Sequence, residues 1–282
     1  MQENRPSTTA MHVAVRRAVH QILDRPLVFE DPLAVRIVGE HAKDEIGSEP
    51  ADRQVWSRET LRAFLVARSR FTEDALEWAT LRGVRQYVIL GAGLDTFAYR
   101  NRDASLRVFE VDYPATQAWK RERLAEAGIV APPSLTFAPI DFEKQTLSEG
   151  LANAGFDFSS PAFFSWLGVA NYLTKSAVMA TLHFVAQRPA GSEIVFDFAA
   201  PPDGLAEDER RAFDVLAETV ASLGEPWISS FDPSALSREL SAMGFRHIDV
   251  LAPPAINARY FSDREDDLRV GPVVGRILHA RV

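Results

Sequence analysis

The chain has 282 residues, 46% hydrophobic and 25% charged, with a formal net charge of −8. This composition supplies apolar surface for a sizeable core, and acidic character without a basic stripe excludes the electrostatic footprint of a nucleic-acid binder, leaving a small molecule or a protein as partner. The absence of cysteine excludes disulfides, thiolate metal sites and cysteine nucleophiles.

The first residues, MQENRPSTTA, lack a basic stretch followed by an apolar one, and the longest largely apolar run, Ala162 to Leu173, is too short to cross a bilayer. The expectation is a cytoplasmic chain with no leader and no membrane partner. From about Thr9 to Leu23, apolar residues at helical spacing (Met11, Val15, Ala18, Val19, Ile22) predict an amphipathic helix with Arg16 and Arg17 on its other side. Asp31 and Pro32 read as the N-cap and first position of a short helix to about Val38. Residues 43–54 read as a loop, followed by a long helix from about Val55 to Leu81.

Beyond this point the pattern changes to short apolar runs. Tyr87–Leu90, Leu106–Val111 and Leu135–Ile140 predict strands separated by stretches with helical spacing. Further strands are predicted at Ala162–Trp166, Ile194–Phe198, Ile248–Leu251 and Val273–Ala280, with helices near 175–187, 205–223 and 233–243. Pro201-Pro202-Asp203-Gly204 and Pro253-Pro254 read as loops too short to link domains. Alternating strands and helices predict an α/β fold, a mostly parallel sheet covered on both faces, in one domain over residues 1–282.

Leu90-Gly91-Ala92-Gly93-Leu94-Asp95-Thr96 directly follows the first strand, where the carboxyl ends of a parallel sheet form a ligand crevice. Gly91 and Gly93 fit either a turn that lets a ligand touch the backbone or a tight structural turn. Thr96 stands where a dinucleotide fingerprint needs a small residue, which disfavours pyrophosphate binding. The next strand ends Glu110-Val111-Asp112, about twenty residues on, where a carboxylate can accept both hydroxyl hydrogens of a ribose; a solvated strand end is the alternative. The third ends Ile140-Asp141-Phe142-Glu143: an acceptor for an adenine amino group beside an aromatic ring, or a helix N-cap with a core phenylalanine.

The segments MHVAVRRAVHQ, EDPLA, FLVARSRFTED, QYVILGAGLDTFAYR, FEVDYPATQAWK, APIDFE and FFSWLGVANYLT cover nearly the whole chain. Together they resemble the leucine carboxyl methyltransferase-like family of S-adenosylmethionine-dependent O-methyltransferases, which includes bacterial enzymes acting on small molecules. The resemblance implies a Rossmann-like class I methyltransferase fold, a mostly parallel seven-stranded sheet with extra N-terminal helices, over 1–81, as a cover. The segment near 201–231 is a second expected cover.

By the same resemblance, Gly91 and Gly93 meet the methionine part of the cofactor, Asp112 the ribose, and Asp141 with Phe142 the adenine. Arg68 pairs with the cofactor carboxylate, a role suited to a guanidinium that can offer two parallel hydrogen bonds; an exposed helix arginine is the alternative. Arg16 or Arg17 shares that task. Many similar chains carry an acid before the glycine where this one has Leu167-Gly168, so the contact that acid makes is absent here. Asn171, Tyr172 and Tyr260 are the substrate-binding candidates, Asn171 and Tyr172 serving equally well as structural hydrogen-bonding groups.

The implied chemistry is methyl transfer to a carboxylate, phenolic or hydroxyl oxygen of a small-molecule acceptor. His12, His20, His183, His247 and His279 form no metal-ligand pair, so neither a metal nor a general base is assigned. Two rival readings share the adenosine logic: an NAD-dependent oxidoreductase and a non-catalytic S-adenosylmethionine-binding protein.

Overall fold

Seven short apolar runs build one sheet in the computed structural model, which describes residues 7–39, 58–141, 144–203, 205–271 and 275–282. The strands are β1 Gln86–Leu90, β2 Arg107–Asp112, β3 Leu135–Pro139, β4 Phe163–Trp166, β5 Glu193–Ala199, β6 His247–Leu251 and β7 Gly275–Arg281. Their order across the sheet is β3-β2-β1-β4-β5-β7-β6. Pairs among β1 to β5 are parallel, and β7 runs antiparallel to both β5 and β6. Parallel pairing brings the carboxyl ends of β1 to β5 to one edge, with the sequence reversing direction between β1 and β4. That is where an open α/β sheet binds its ligand.

Alternation along the strands assigns the two faces. Tyr87 and Ile89 join a core containing Ala63, Val66, Phe71 and Leu76 of the long helix, whereas Val88 and Leu90 join a second containing Leu151, Val178, Leu182 and Leu240. The helices are α1 Thr8–Leu23, α2 Ala34–Val38, α3 Arg58–Leu81, α4 Phe97–Arg100, α5 Pro114–Glu126, α6 Leu147–Asn153, α7 Lys175–Ala186, α8 Glu207–Ser222, α9 Pro233–Met243 and α10 Pro253–Tyr260. A third apolar cluster, including Ala14, Val15, Ala18, Ile37, Leu94 and Leu124, seats α1 and α2 on the glycine turn and α5.

Three expectations are corrected. Arg17 is buried rather than on a polar outer side, while Ile22 is exposed, because α1 is covered on two sides and spends an arginine on the glycine turn beneath it. Asp31 does not cap α2: its carboxylate accepts the Leu33 N–H at 3.2 Å, and the helix begins only at Ala34, leaving Pro32 in the turn before it. Pro253-Pro254 is no loop but the opening of α10, since a first-turn proline lacks only an N–H that would have no helical partner. The loop expected over 43–54 lies outside the described residues.

Candidate active site

The glycine turn is fixed by backbone chemistry. Gly91 and Ala92 donate their N–H groups to the Val111 carbonyl at 2.8 and 3.1 Å, clamping the turn to the end of β2. Gly91 has φ +68°, and a Cβ there would meet Val169 Cγ2 at 2.4 Å, so the turn accepts no side chain against the segment after β4. Gly93, at φ +44°, lies beneath α1, where a Cβ would come within 3.2 Å of the Ala10 Cβ. The helix that follows, α4, is one turn long, which removes the long helix N-terminus that a dinucleotide pyrophosphate uses.

Asp112 closes this arrangement from β2. Gly93 N–H donates to its Oδ2 at 2.6 Å and Tyr113 N–H to its Oδ1 at 2.7 Å, leaving further lone pairs on both oxygens. Burial raises its pKa above the usual aspartate value, opposed by the two backbone N–H groups. Glu110, on the same strand face, is instead fully buried against Lys120, with Nζ to Oε2 at 2.7 Å. Burial lifts Glu110 to about 7 while the ammonium draws it back down. The two acids that the sequence offered as equals are thus separated: one lines the crevice, the other anchors α5 beneath it.

These groups line a cavity of about 1260 Å³ at the carboxyl edge of the sheet. Gly91, Gly93, Asp112, Asp141, Arg68, Asn171 and Tyr172 all border it, as do both Arg16 and Arg17. Arg17 donates from Nη2 to the Leu94 carbonyl at 2.7 Å and lies 3.5 Å from Asp31 and 3.9 Å from Asp95. Arg100 joins Asp31 at 3.4 Å and pairs with Glu73, so this network ties α1, α3 and α4 together. Asp141 forms an ion pair with Lys144 at 2.7 Å; Phe142 lies outside the described residues.

Arg68 is not an exposed helix arginine. Its Nη1 donates to Asp197 Oδ2 at 2.7 Å, and the other oxygen of Asp197 accepts the Gly168 N–H at 2.6 Å. Gly168 adopts φ +70°, and a Cβ there would stand 2.9 Å from Arg68 Nη2. Sequence reasoning missed Asp197, which stands between Phe196 and Phe198 in a strand that Glu193 opens; an acid near the carboxyl end of a central strand was the available signal.

The cavity roof comes from α1 and from the segment after α8. Glu225 accepts the Thr8 N–H at 2.8 Å and the Ser7 hydroxyl at 3.2 Å, with a further hydrogen bond from the Thr9 hydroxyl, so one carboxylate caps the start of α1. Burial raises the pKa of the Tyr172 hydroxyl, opposed by its polar neighbours Trp227 and Thr9. Asn171 has a structural role: its Oδ1 accepts the Ala199 N–H at 2.8 Å and its carbonyl the Ile228 N–H at 2.7 Å. Tyr260 is not brought to the site. Its hydroxyl donates to Asp74 of α3 at 2.9 Å, outside the cavity lining.

A sheet in this order, with a glycine turn, an acid ending β2 and a crevice across β1 and β4, defines a Rossmann-like class I methyltransferase. Comparisons with known proteins agree. Residues 10–186 match the leucine carboxyl methyltransferase family profile. A Bacillus subtilis (strain 168) protein, YktD, named for S-adenosyl-L-methionine-dependent methyltransferase activity, is 32% identical over 95% of both chains. A Mycobacterium marinum protein with the same designation is 32% identical over 76% of this chain and 71% of its own. Among solved structures, a Thermobifida fusca YX protein described as a methyltransferase shares the fold at TM-score 0.58 and 18% identity, over 99% of this chain and 96% of that one.

The chain belongs to the leucine carboxyl methyltransferase family and is an S-adenosylmethionine-dependent methyltransferase. The NAD reading is thereby set aside, as is the non-catalytic one.

Proposed function

We propose that the enzyme methylates an oxygen, a carboxylate or a phenolic or other hydroxyl, of a small molecule. The observation that carries this reading is the mixed lining of the cavity. Polar backbone and carboxylate are supplied around Gly93 and Asp112. Apolar side chains of Leu61, Phe64, Leu216, Val220, Leu223 and Trp227 also border it and suit the body of an organic acceptor.

The residues present fit the cofactor. Asp112 retains lone pairs on two oxygens already held in place, as recognition of a pair of ribose hydroxyls requires. Asp141 accepts from the adenine amino group. Gly91 and Gly93 admit the methionine part against bare backbone, and Arg68 receives its carboxylate. When bound, the cofactor supplies an electrophilic methyl on a sulfonium. The protein's part is to exclude water beneath α1 and the 223–228 segment and to hold the acceptor oxygen in line. A carboxylate is ionised at neutral pH and needs no base, whereas a phenol benefits from one. The small-molecule acceptor and a cytoplasmic setting complete the reading.

The test uses cofactor labelled in the methyl group against panels of carboxylic acids, phenols and alcohols, with the product then treated with alkali. A label released as methanol identifies an ester, and a label retained on an aryl or alkyl oxygen identifies an ether. Methyl transfer to nitrogen or carbon alone would contradict the proposal.

A further inference from the structure

We propose that Asp197 is a cofactor-binding residue, taking the α-ammonium of the methionine part while Arg68 beside it takes the carboxylate. The inference rests on the reading of this cavity as the cofactor site and deepens it.

Asp197 and Arg68 are 4% and 6% exposed, yet both border the cavity. A buried ion pair contributes little net stability, because desolvation of two charges offsets most of their attraction, and apolar residues of like volume commonly serve as well. A pair kept at a ligand crevice therefore asks for a use. Its hydrogen-bonding capacity is only partly used within the pair and the turn. A carboxylate has about four acceptor positions, of which the Gly168 N–H and Arg68 Nη1 take one on each oxygen. A guanidinium has about five donors, and Nη1 engages Asp197 while Nη2 lies along the Gly168 backbone.

An α-amino acid headgroup carries an ammonium and a carboxylate on one carbon. It is matched by an acid and a guanidinium fixed side by side, each facing the opposite charge. The pair is fixed from three elements: α3 holds Arg68, β5 holds Asp197, and the turn after β4 supplies the amide between them. Asp197 thus brings its carboxylate to the Gly168 backbone N–H, beside the Arg68 guanidinium. The pair of Arg17 with the part-exposed Asp95 at the same cavity is less suited: its charges are 3.9 Å apart, Arg17 is engaged by Leu94 and Asp31, and Asp95 Oδ1 accepts the Phe97 N–H at 2.7 Å.

The experiment is calorimetric titration with S-adenosylhomocysteine and with its analogue lacking the α-amino group. Wild type is expected to bind the deaminated analogue roughly ten- to a hundredfold more weakly, the loss of one charged hydrogen-bonding contact. Asp197→Asn, whose amide oxygen can still accept from Gly168, is expected to weaken S-adenosylhomocysteine by a similar factor and to leave the analogue almost unaffected. The wild-type arm needs no variant to fold.

Equal weakening of both ligands by Asp197→Asn, or a wild type indifferent to the amino group, overturns the inference and reduces Asp197 to a support for Arg68. An Asp112→Ala protein that binds both ligands as tightly as wild type overturns the reading of the cavity itself, and the inference with it.

Discussion

The floor and the roof of the cavity are built on different principles. The floor, from Gly91 to Asp112, is made by backbone N–H groups meeting a carbonyl and a carboxylate within a few residues of strand ends. The roof is made by side chains from distant parts of the chain, with Glu225 reaching the start of α1 across more than two hundred residues. A floor of this kind holds the part of the reaction common to every such enzyme. A roof of packed side chains can change with the acceptor at little cost to the fold.

The largest effect tests how rigid the floor is. Gly91→Ala forces a left-handed backbone onto a residue with a Cβ and drives that atom into Val169, so it is expected to destabilise the protein by about 2–4 kcal/mol in chemical denaturation. A cost near zero would mean that floor and β4 turn adjust freely and that the contrast with the roof is false.

Glu110 sharpens the picture below the floor. Its folded pKa of about 7 lies above the ordinary glutamate value of 4.5, so the folded protein binds this proton more tightly than the unfolded chain does. The resulting stability is full below the lower value and is lost as the pH rises through the higher one. Glu110→Gln removes the titration. The stability of wild type relative to this variant should therefore fall between about pH 5 and about pH 8. A difference that stays flat across this window would show Lys120 holding Glu110 ionised throughout.

Glu225→Ala addresses the roof and carries the smallest expected effect on stability, about 1 kcal/mol for a lost helix cap. Its signature is kinetic: a raised KM for the acceptor with the cofactor affinity little changed. Loss of cofactor affinity instead would erase the distinction between the two regions.

The floor was legible in the sequence because its determinants are local. An apolar run stopped by Gly91-Ala92-Gly93, and two more stopped by Asp112 and Asp141, announce strand ends and a crevice without reference to the rest of the chain. The pairing of Arg68 with Asp197, 129 positions apart, depends on the sheet order that brings β5 beside β4 and on the seat of α3. Arg17 was misplaced for a related reason: helical periodicity reports one apolar stripe and cannot show that a second surface covers the opposite side. Tyr260 had the right chemistry for a substrate contact, and only the packing of α10 against α3 commits its hydroxyl to Asp74.

The most direct test of the divided cavity is a titration of wild type, Asp112→Ala and Glu225→Ala with S-adenosylhomocysteine. The account predicts a loss of roughly a hundredfold or more for Asp112→Ala, which removes both ribose acceptors, and near-wild-type affinity for Glu225→Ala. The reverse pattern, with Asp112→Ala binding normally and Glu225→Ala failing, would contradict it.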